Sequence, residues 1–190
     1  MVGFFLGMII GVTGPICAGK DEVGKILNDL GFERISLVEV LRAEARKRGI
    51  ELTRKNLQDL GDKLRREEGT DTFAKRATKN IVKGKNYVIE SIRNPGEVEA
   101  LRKLPGFVLL CVNSSDEVRF SRMIARGREK DPRTFDEFLK VEARDKGIGQ
   151  AAYAQQSEAS WKLADHSISN EGSIDDLYQQ VETLLSEFKI

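Results

Sequence analysis

A chain of 190 residues with 40% hydrophobic and 32% charged residues has the size and composition of a single globular domain. Its 31 basic and 30 acidic residues nearly cancel, and the net charge of +1 argues against a nucleic-acid or membrane-surface partner. Only two cysteines occur, Cys17 and Cys111, so a cytoplasmic protein without disulfides is predicted. We expect a monomer or a homodimer.

Short apolar runs alternate with longer helical patterns along the chain. The runs predicted to form strands span residues 8–13, 34–37, 87–92, 107–112 and 166–169. The segments predicted to form helices span residues 21–30, 38–48, 57–68, 73–82, 117–126, 135–144 and 174–188. This alternation predicts an α/β sandwich with a parallel sheet, whose strands all end at one edge, where ligands bind.

Two of these helices begin with a capping signature. Ser114 stands three residues before Glu117, and Thr134 stands three residues before Glu137. In this arrangement the hydroxyl and the glutamate each accept a hydrogen bond from a free backbone N–H of the first turn. We therefore expect Ser114 and Thr134 to be the N-caps of the helices that follow them.

The strongest functional signal is the segment from Gly14 to Lys20, which has the G-x-x-x-x-G-K spacing of a phosphate-binding loop. An apolar strand precedes it and a helical pattern follows, as such a loop requires. Gly14 and Gly19 permit backbone angles that a Cβ would forbid. The backbone N–H groups can then surround phosphates at the positive end of the helix dipole, and Lys20 can reach the β- and γ-phosphates.

The position after the lysine departs from the usual pattern. Ser or Thr commonly follows the lysine and binds Mg²⁺ through its hydroxyl, whereas this chain has Asp21 followed by Glu22. Asp21 could hold Mg²⁺ directly or through water, because hard cations accept carboxylate oxygens. Alternatively, both acidic residues only favour the positive end of the helix. The sequence leaves these two interpretations open.

Several arginines follow predicted strands, at the edge of the sheet where ligands bind. Arg119, Arg122 and Arg126 recur at helical spacing, which predicts that they share a face. Bidentate guanidinium groups suit phosphoryl transfer because they neutralise phosphates and hold the reacting oxygens in line. The alternative is a solvated basic face, which charge runs often form.

The chain resembles the P-loop kinases of small nucleotides, namely the nucleoside monophosphate kinases such as adenylate kinase and their dephospho-CoA kinase-like relatives. The segment 35–44 is similar to the part of adenylate kinases that holds the acceptor nucleotide. The resemblance implies an acceptor-phosphate role for Arg42, and Glu39 could accept from the acceptor base or ribose. The segment 89–95 resembles the run at the end of the third strand, with Glu90 on the Mg²⁺ side and Arg93 as a second acceptor-phosphate arginine.

The second half of the chain extends this resemblance. Arg119, Arg122, Arg126 and Arg128 lie in a segment similar to the lid, where Arg122 would lie against the adenine and Arg126 would clamp the phosphates. The segment 164–173 looks like the fifth strand and the loop that borders the adenine, which includes Asn170. The departures are Ser91 in place of Gly, and Asn94-Pro95 after the arginine in place of Pro before it.

The resemblance implies a P-loop NTPase-type three-layer α/β/α sandwich with a five-stranded parallel sheet, a helical acceptor-binding insertion and a short lid. We expect one domain over residues 1–190, with the insertion at about 37–83 and the lid at about 119–149. The core would comprise residues 8–36, 84–118 and 150–190.

The predicted site residues fall into four roles. The residues predicted to be catalytic are Lys20, Glu90, Arg126 and Arg128. The residues predicted to bind ATP are Gly14, Pro15, Ile16, Cys17, Ala18, Gly19, Lys20, Asp21, Glu22, Arg122 and Asn170. The residues predicted to bind the acceptor are Glu39, Arg42 and Arg93, and those predicted to hold Mg²⁺ are Asp21 and Glu90.

The leading hypothesis is therefore an ATP- and Mg²⁺-dependent phosphotransferase acting on a nucleoside or deoxynucleoside monophosphate. A dephospho-CoA kinase is an alternative, although such enzymes carry an aspartate pair after the second strand, where this chain has Ile35-Ser36-Leu37. A nucleotide-binding regulatory protein with weak turnover is a third hypothesis, since the hydroxyl after Lys20 is missing.

Overall fold

A computed structural model describes residues 7–128 and 131–188, and the sheet within these residues has five strands, all parallel. Their spatial order is β2-β3-β1-β4-β5. The strands are β1 (Ile9–Thr13), β2 (Glu33–Ser36), β3 (Tyr87–Glu90), β4 (Phe107–Asn113) and β5 (His166–Ser169). Ile10 pairs with Val88 of β3 on one side and with Val108 of β4 on the other, so β1 is central and its C-terminal end opens at the middle of the sheet edge.

The described helices connect the strands as right-handed crossovers require. They are α1 (Lys20–Asp29), α2 (Leu37–Lys47), α3 (Arg54–Glu68), α4 (Thr72–Ala77), α5 (Pro95–Leu101), α6 (Asp116–Arg126), α7 (Phe135–Lys146), α8 (Ser157–Trp161) and α9 (Ile174–Glu187). Helices α5 and α8 are not predicted from the sequence. They contain 7 and 5 residues, too few for an apolar periodicity to show.

Two apolar cores lie on opposite faces of the sheet, which confirms the three-layer sandwich. On one face, α1 and α9 pack on alternate strand residues such as Ile10 and Val12. On the other face, α2 to α5 pack on residues such as Ile9 and Ile89. Alternate side chains of a strand point to opposite faces, so a parallel sheet covered on both faces needs nearly continuous apolar strands. The sequence FVLLCV of β4 meets this requirement.

The ends of several elements differ from the predictions. Strand β3 stops at Glu90 instead of residue 92, because Ser91 has a φ of 66°, which breaks the extended backbone. The helix predicted over 73–82 is α4 followed by a short 3₁₀ turn, Thr78–Asn80. The prediction that Ser114 is an N-cap is wrong. Ser115 is the N-cap of α6 and its hydroxyl donates to Glu171, whereas the capping box of Thr134 with Glu137 is confirmed.

The proposed insertion and lid are largely within the described residues. Helices α2, α3 and α4 fall inside 37–83, and α7 falls inside 119–149, whereas α6 begins earlier, at Asp116. Glu129 and Lys130 of the predicted lid lie outside the described residues, as do residues 1–6 and 189–190 of the predicted domain. Among the helices that the structure describes, none has the length and apolarity needed to cross a bilayer.

Candidate active site

The loop between β1 and α1 has a backbone that only glycine accommodates at two positions. Gly14 has a φ of 137° and Gly19 a φ of 100°, in the region that side chains disfavour. A Cβ on Gly14 would lie 2.0 Å from the carbonyl oxygen of Val112, and one on Gly19 would lie 2.1 Å from Nδ2 of Asn170. The loop is therefore packed against β4 and the end of β5, and its open side is a cradle of backbone N–H groups at the N-terminus of α1.

The side chain of Lys20 curls back into this cradle. Its Nζ donates to the carbonyl oxygen of Pro15 at 2.5 Å. Burial and the nearby positive charge of Arg93 lower the pKa of Lys20 from 10.5 to about 8, and the negative charges of Asp145 and Asp21 oppose this shift. The ammonium group is thus already positioned inside the loop, in surroundings that favour its pairing with an added anion.

One wall of the loop is formed by Asn170 and Arg122. Asn170 is buried, and its Nδ2 donates to the carbonyl oxygen of Ala18 at 2.8 Å. Arg122 donates to Oδ1 of Asn170 and to Oγ of Ser114, both at 3.3 Å. The structure therefore brings both residues to the loop, as the sequence-based prediction of their nucleotide contact requires.

A second arginine of α6, Arg126, acts electrostatically on the loop. Burial raises the pKa of Cys17, and the positive charges of Arg126 and Lys20 oppose that shift. Arg126 itself is held by Asp131, which accepts from its Nε at 2.6 Å and from its Nη2 at 2.8 Å. Arg128 is exposed, and its charge helps to lower the pKa of Asp131 after the larger contribution of the Arg126 hydrogen bond.

Arg119 is buried, so the alternative interpretation of a solvated basic face does not hold for this arginine of α6. Its side chain is only 2% exposed and forms an ion pair of 2.7 Å with Glu142 of α7, which is equally buried. It also donates to the carbonyl oxygen of Ile16 at 3.1 Å. Arg119 therefore stabilises the loop by a hydrogen bond from the protein interior. A buried guanidinium group needs hydrogen-bond acceptors for its N–H donors, and the loop carbonyl is one of them.

On the other side of the loop, Arg93 meets two residues that the sequence analysis missed. Arg93 follows β3, and its Nη1 donates to Oδ1 of Asp145, at the end of α7, at 2.8 Å. Arg54, the first residue of α3, lies 4.0 Å from the same oxygen. Burial lowers the pKa of Arg54, with Asp145 opposing the shift and Arg93 and Arg126 adding to it. Two sequence features could have pointed to these residues: Thr53, a residue type that favours a helix N-cap, directly before Arg54, and the adjacent opposite charges of Arg144 and Asp145.

Glu90 is held on the α1 side of the sheet rather than free at its edge. Arg34 of β2 donates to both carboxylate oxygens of Glu90, with its Nη2 at 2.9 Å from each. Burial nevertheless raises the pKa of Glu90, and Asp21 adds to this shift while Arg34 opposes it. Glu22 forms an exposed ion pair with Lys25 at 3.2 Å. The predicted catalytic and metal roles of Glu90 stay predictions, and its carboxylate is already paired.

The two predicted acceptor residues of α2 contact each other. Nη1 of Arg42 lies 2.5 Å from Oε1 of Glu39, and both side chains are exposed. Within the part of the chain that the structure describes, neither Glu39 nor Arg42 forms a hydrogen bond or an ion pair with Lys20 or Arg93. The arginines that the structure brings together beside the loop are Arg93, whose charge acts on Lys20, and Arg54, which shares Asp145 with Arg93.

Comparison with known proteins agrees with this geometry. A family model described as an AAA domain (AAA_18) matches residues 10–146. A UPF0200 protein of Methanocaldococcus jannaschii is 36% identical over 186 residues, covering 95% of this chain and 90% of the relative. A UPF0200 protein of Pyrococcus abyssi is 35% identical over 187 residues, covering 94% and 95%. The chain belongs to the UPF0200 family.

Solved structures similar to this UPF0200 protein include small-molecule kinases. Shikimate kinase from Acinetobacter baumannii in complex with shikimate superposes with a TM-score of 0.59 at 18% identity, over 98% of this chain and 97% of the kinase. A gluconokinase from Sinorhizobium meliloti superposes with a TM-score of 0.55 at 14% identity, over 97% and 94%. At such low identity these likenesses establish the P-loop kinase-like fold.

The site fits a nucleotide better than a preformed metal centre. The P-loop domain implies nucleotide binding, and the loop cradle with Lys20 inside it suits a polyphosphate. Across residues 7–128 and 131–188, no three His, Cys, Asp or Glu side chains come together as ligands for a metal ion. Asp21, exposed in the first turn of α1, is the predicted Mg²⁺ ligand that remains accessible, which suits an ion that keeps several waters and binds with its phosphates.

Proposed function

We propose that this UPF0200 protein is an ATP-dependent phosphotransferase that moves the γ-phosphoryl group of Mg-ATP to a small anionic acceptor. The observation that carries the proposal is the phosphate-binding loop with Nζ of Lys20 inside it, together with Arg93 and Arg54, which meet at the carboxylate of Asp145. Phosphoryl transfer needs this concentration of positive charge because the donor and the acceptor both bring negative charge to the reaction.

Different residues would contact ATP and the acceptor. The backbone of the loop and Lys20 would hold the phosphates of ATP, and Asn170 and Arg122 would border its base. Arg126 would neutralise the transferring group from the mouth of the loop. Mg²⁺, held through Asp21, would supply neutralisation between the phosphates. No covalent intermediate with the protein is required, since positioning and electrostatic stabilisation provide most of the catalysis of phosphoryl transfer.

A nucleoside or deoxynucleoside monophosphate is the acceptor that the sequence resemblance favours. Arg93 and Arg54 would hold its phosphate, since both keep N–H donors beyond their contacts with Asp145. The second candidate is transfer to a hydroxyl group, as in a dephospho-CoA kinase. The observation that favours this candidate is the carboxylate of Asp145, which lies among these arginines although the segment after β2 has no aspartate.

The test is ADP release from Mg-ATP across a panel of acceptors. The panel contains the ribo- and deoxynucleoside monophosphates, dephospho-CoA and a blank without acceptor. Lys20→Ala is the inactive variant, and Lys25→Ala, an exposed lysine on the same helix, is its matched control. We expect one or two acceptors to accelerate ADP release, with the acceleration lost in Lys20→Ala and kept in Lys25→Ala.

Two results would redirect the assignment. Stimulation by dephospho-CoA alone selects the second candidate. If ATP binds tightly and no acceptor accelerates ADP release, the phosphotransferase proposal fails for these acceptors and a regulatory nucleotide-binding role takes its place.

A further inference from the structure

The carboxylate of Asp145 occupies an unusual place for a residue that is not part of the loop. It lies at the end of α7, its side chain is 6% exposed, and its charge acts on Lys20. Both arginine contacts involve one oxygen: Oδ1 accepts from Arg93 at 2.8 Å and lies 4.0 Å from Arg54. The other oxygen, Oδ2, accepts no hydrogen bond from the residues that the structure describes. Asp145 is therefore anchored through one oxygen and keeps the other available.

The remaining carboxylates around the site are engaged elsewhere or lie on another side. Glu90 is bound by Arg34 through both oxygens, Asp131 is bound by Arg126 in the same way, and Glu39 pairs with Arg42 on α2. Asp21 lies in the first turn of α1, directly after Lys20. Asp145 is thus a carboxylate that contacts both Arg93 and Arg54 and whose charge also acts on Lys20.

We propose that Asp145 is a catalytic residue that accepts the proton of an acceptor hydroxyl, and that the acceptor is an alcohol that also carries an anionic group. This inference rests on the proposed function and specifies its acceptor. Arg54 and Arg93 bind the anionic group, a carboxylate or a phosphate, and Asp145 orients the hydroxyl. The hydroxyl oxygen forms a bond to the γ-phosphorus, the bond from that phosphorus to the β–γ bridging oxygen breaks, ADP leaves, and the hydroxyl proton moves to Oδ2 of Asp145.

The reaction chemistry explains why this arrangement favours a hydroxyl over a phosphate as the attacking group. A phosphate oxygen is already anionic at neutral pH and needs no base. A buried carboxylate beside it would repel it, because like charges interact strongly where water is excluded. A hydroxyl gains from a carboxylate within hydrogen-bond reach, since general base catalysis contributes about 10²- to 10⁴-fold.

The first experiment identifies the bond that the wild-type protein makes. Mg-ATP is incubated with anionic alcohols (gluconate, glycerate, shikimate and dephospho-CoA) and with the nucleoside monophosphates, and the products are examined by ³¹P NMR. We expect a new phosphomonoester without phosphorus–phosphorus coupling, formed on a sugar hydroxyl if the acceptor is a nucleotide. Nucleoside diphosphate as the product would overturn this inference and leave the proposed phosphotransferase function in place. A panel in which no compound accelerates ADP release counts against both.

The second experiment compares isosteric substitutions. Asp145→Asn keeps an oxygen for Arg93 and removes the base, so kcat is expected to fall about 100-fold or more while the acceptor KM changes little. Arg54→Met is expected to raise the acceptor KM with a smaller effect on kcat. The control is Asp165→Asn, a carboxylate paired with Arg102 at 2.8 Å at the opposite end of the strands, which should stay within about twofold of wild type. An unchanged kcat in Asp145→Asn would contradict the assignment of Asp145 as the residue that accepts the hydroxyl proton.

Discussion

Two carboxylates of helix α7, Glu142 and Asp145, lie three residues apart, and each pairs with an arginine from another element. Glu142 and Arg119 are both 2% exposed, and Arg119 also bonds to the backbone of the loop. The side chain of Asp145 is also buried, at 6% exposed, but that of its partner Arg93 is 36% exposed. The two pairs have the same chemistry and differ in access to the sheet edge.

This difference in exposure distinguishes an ion pair that stabilises the fold from an ion pair that a ligand could reach. The Arg119–Glu142 pair joins α6 to α7, and Arg119 also donates to the carbonyl oxygens of Ser114 and Ile16, so most of its donors are used within the protein. In the Arg93–Asp145 pair, the contacts within the described residues involve one carboxylate oxygen, and the arginine keeps further N–H donors. Accessibility, more than the identity of the paired residues, indicates where a substrate can bind.

The largest expected effect is on stability, and it distinguishes the two pairs directly. Glu142→Ala leaves Arg119 buried without its main partner, so the free energy of unfolding should fall by about 3 kcal/mol. Asp145→Ala leaves the half-exposed Arg93 free to reach water and should cost about 1 kcal/mol. Urea unfolding of both variants measures the difference. Equal losses would show that the Arg93 pair is as structural as the Arg119 pair.

A third arginine–carboxylate pair, Arg34 with Glu90, extends the comparison to the α1 face. A Cβ on Gly24 would lie 1.9 Å from Oε1 of Glu90, whose carboxylate cannot move without breaking its contacts with Arg34. Gly24→Ala should therefore destabilise the fold by about 2 kcal/mol in thermal or urea unfolding.

The matched control for Gly24→Ala is Gly61→Ala, also inside a helix. There a Cβ would meet its nearest neighbours at 3.4 Å, so we expect a change within about 1 kcal/mol, in the stabilising direction. If both alanines are tolerated equally, the Glu90–Arg34 pair is free to rearrange, and Glu90 becomes accessible for its predicted metal role.

The pH dependence of ATP binding tests whether Asp145 faces the loop. The pKa of Lys20 is about 8, below the ordinary 10.5, so the lysine loses its charge as the pH rises through 8. Bound phosphates favour the charged form, and the dissociation constant of ATP should therefore increase roughly tenfold between pH 7 and pH 9.

Substitutions on α7 sharpen this test. Asp145 raises the pKa of Lys20, so Asp145→Asn should move the weakening of ATP binding to lower pH, whereas Glu142→Gln should leave its midpoint near 8. Isothermal titration calorimetry at several pH values gives the midpoints. Identical profiles for the two variants would contradict the placement of Asp145 beside Lys20.

The smallest expected effect concerns the cap that positions Arg54. Oγ1 of Thr53 accepts from the backbone N–H of Asn56 at 3.2 Å, and Thr53→Ala should cost about 1 kcal/mol of stability and raise the acceptor KM a few-fold. Ser173→Ala removes a comparable cap from α9, far from the acceptor side. It should lose similar stability without a change in KM, and a matching KM increase would remove Arg54 from the acceptor site.

The sequence predicted the five parallel strands from their short apolar runs and most of the long helices from their apolar periodicity. It missed α5, whose start is secured by a capping box of Asn94 with the buried Glu97. It also left open whether Arg119 belongs to a solvated basic face, since helical spacing gives the face of a residue only relative to its own helix. The partner that buries Arg119 comes from α7, which the spacing cannot show.

The sequence by itself determined the phosphate-binding loop, because its glycines, its lysine and the strand and helix around them are contiguous and act through local backbone geometry. Only the tertiary structure decided the grouping of Arg93, Asp145 and Arg54, on which the proposed acceptor side rests. Arg93 and Asp145 are 52 residues apart, and Arg54 lies on a third element. Their meeting depends on the crossovers that bring the end of β3 and the ends of α3 and α7 to one edge of the sheet. A short-range sequence pattern cannot predict such contacts, because each of these residues by itself is an ordinary charged residue of a helix or a loop.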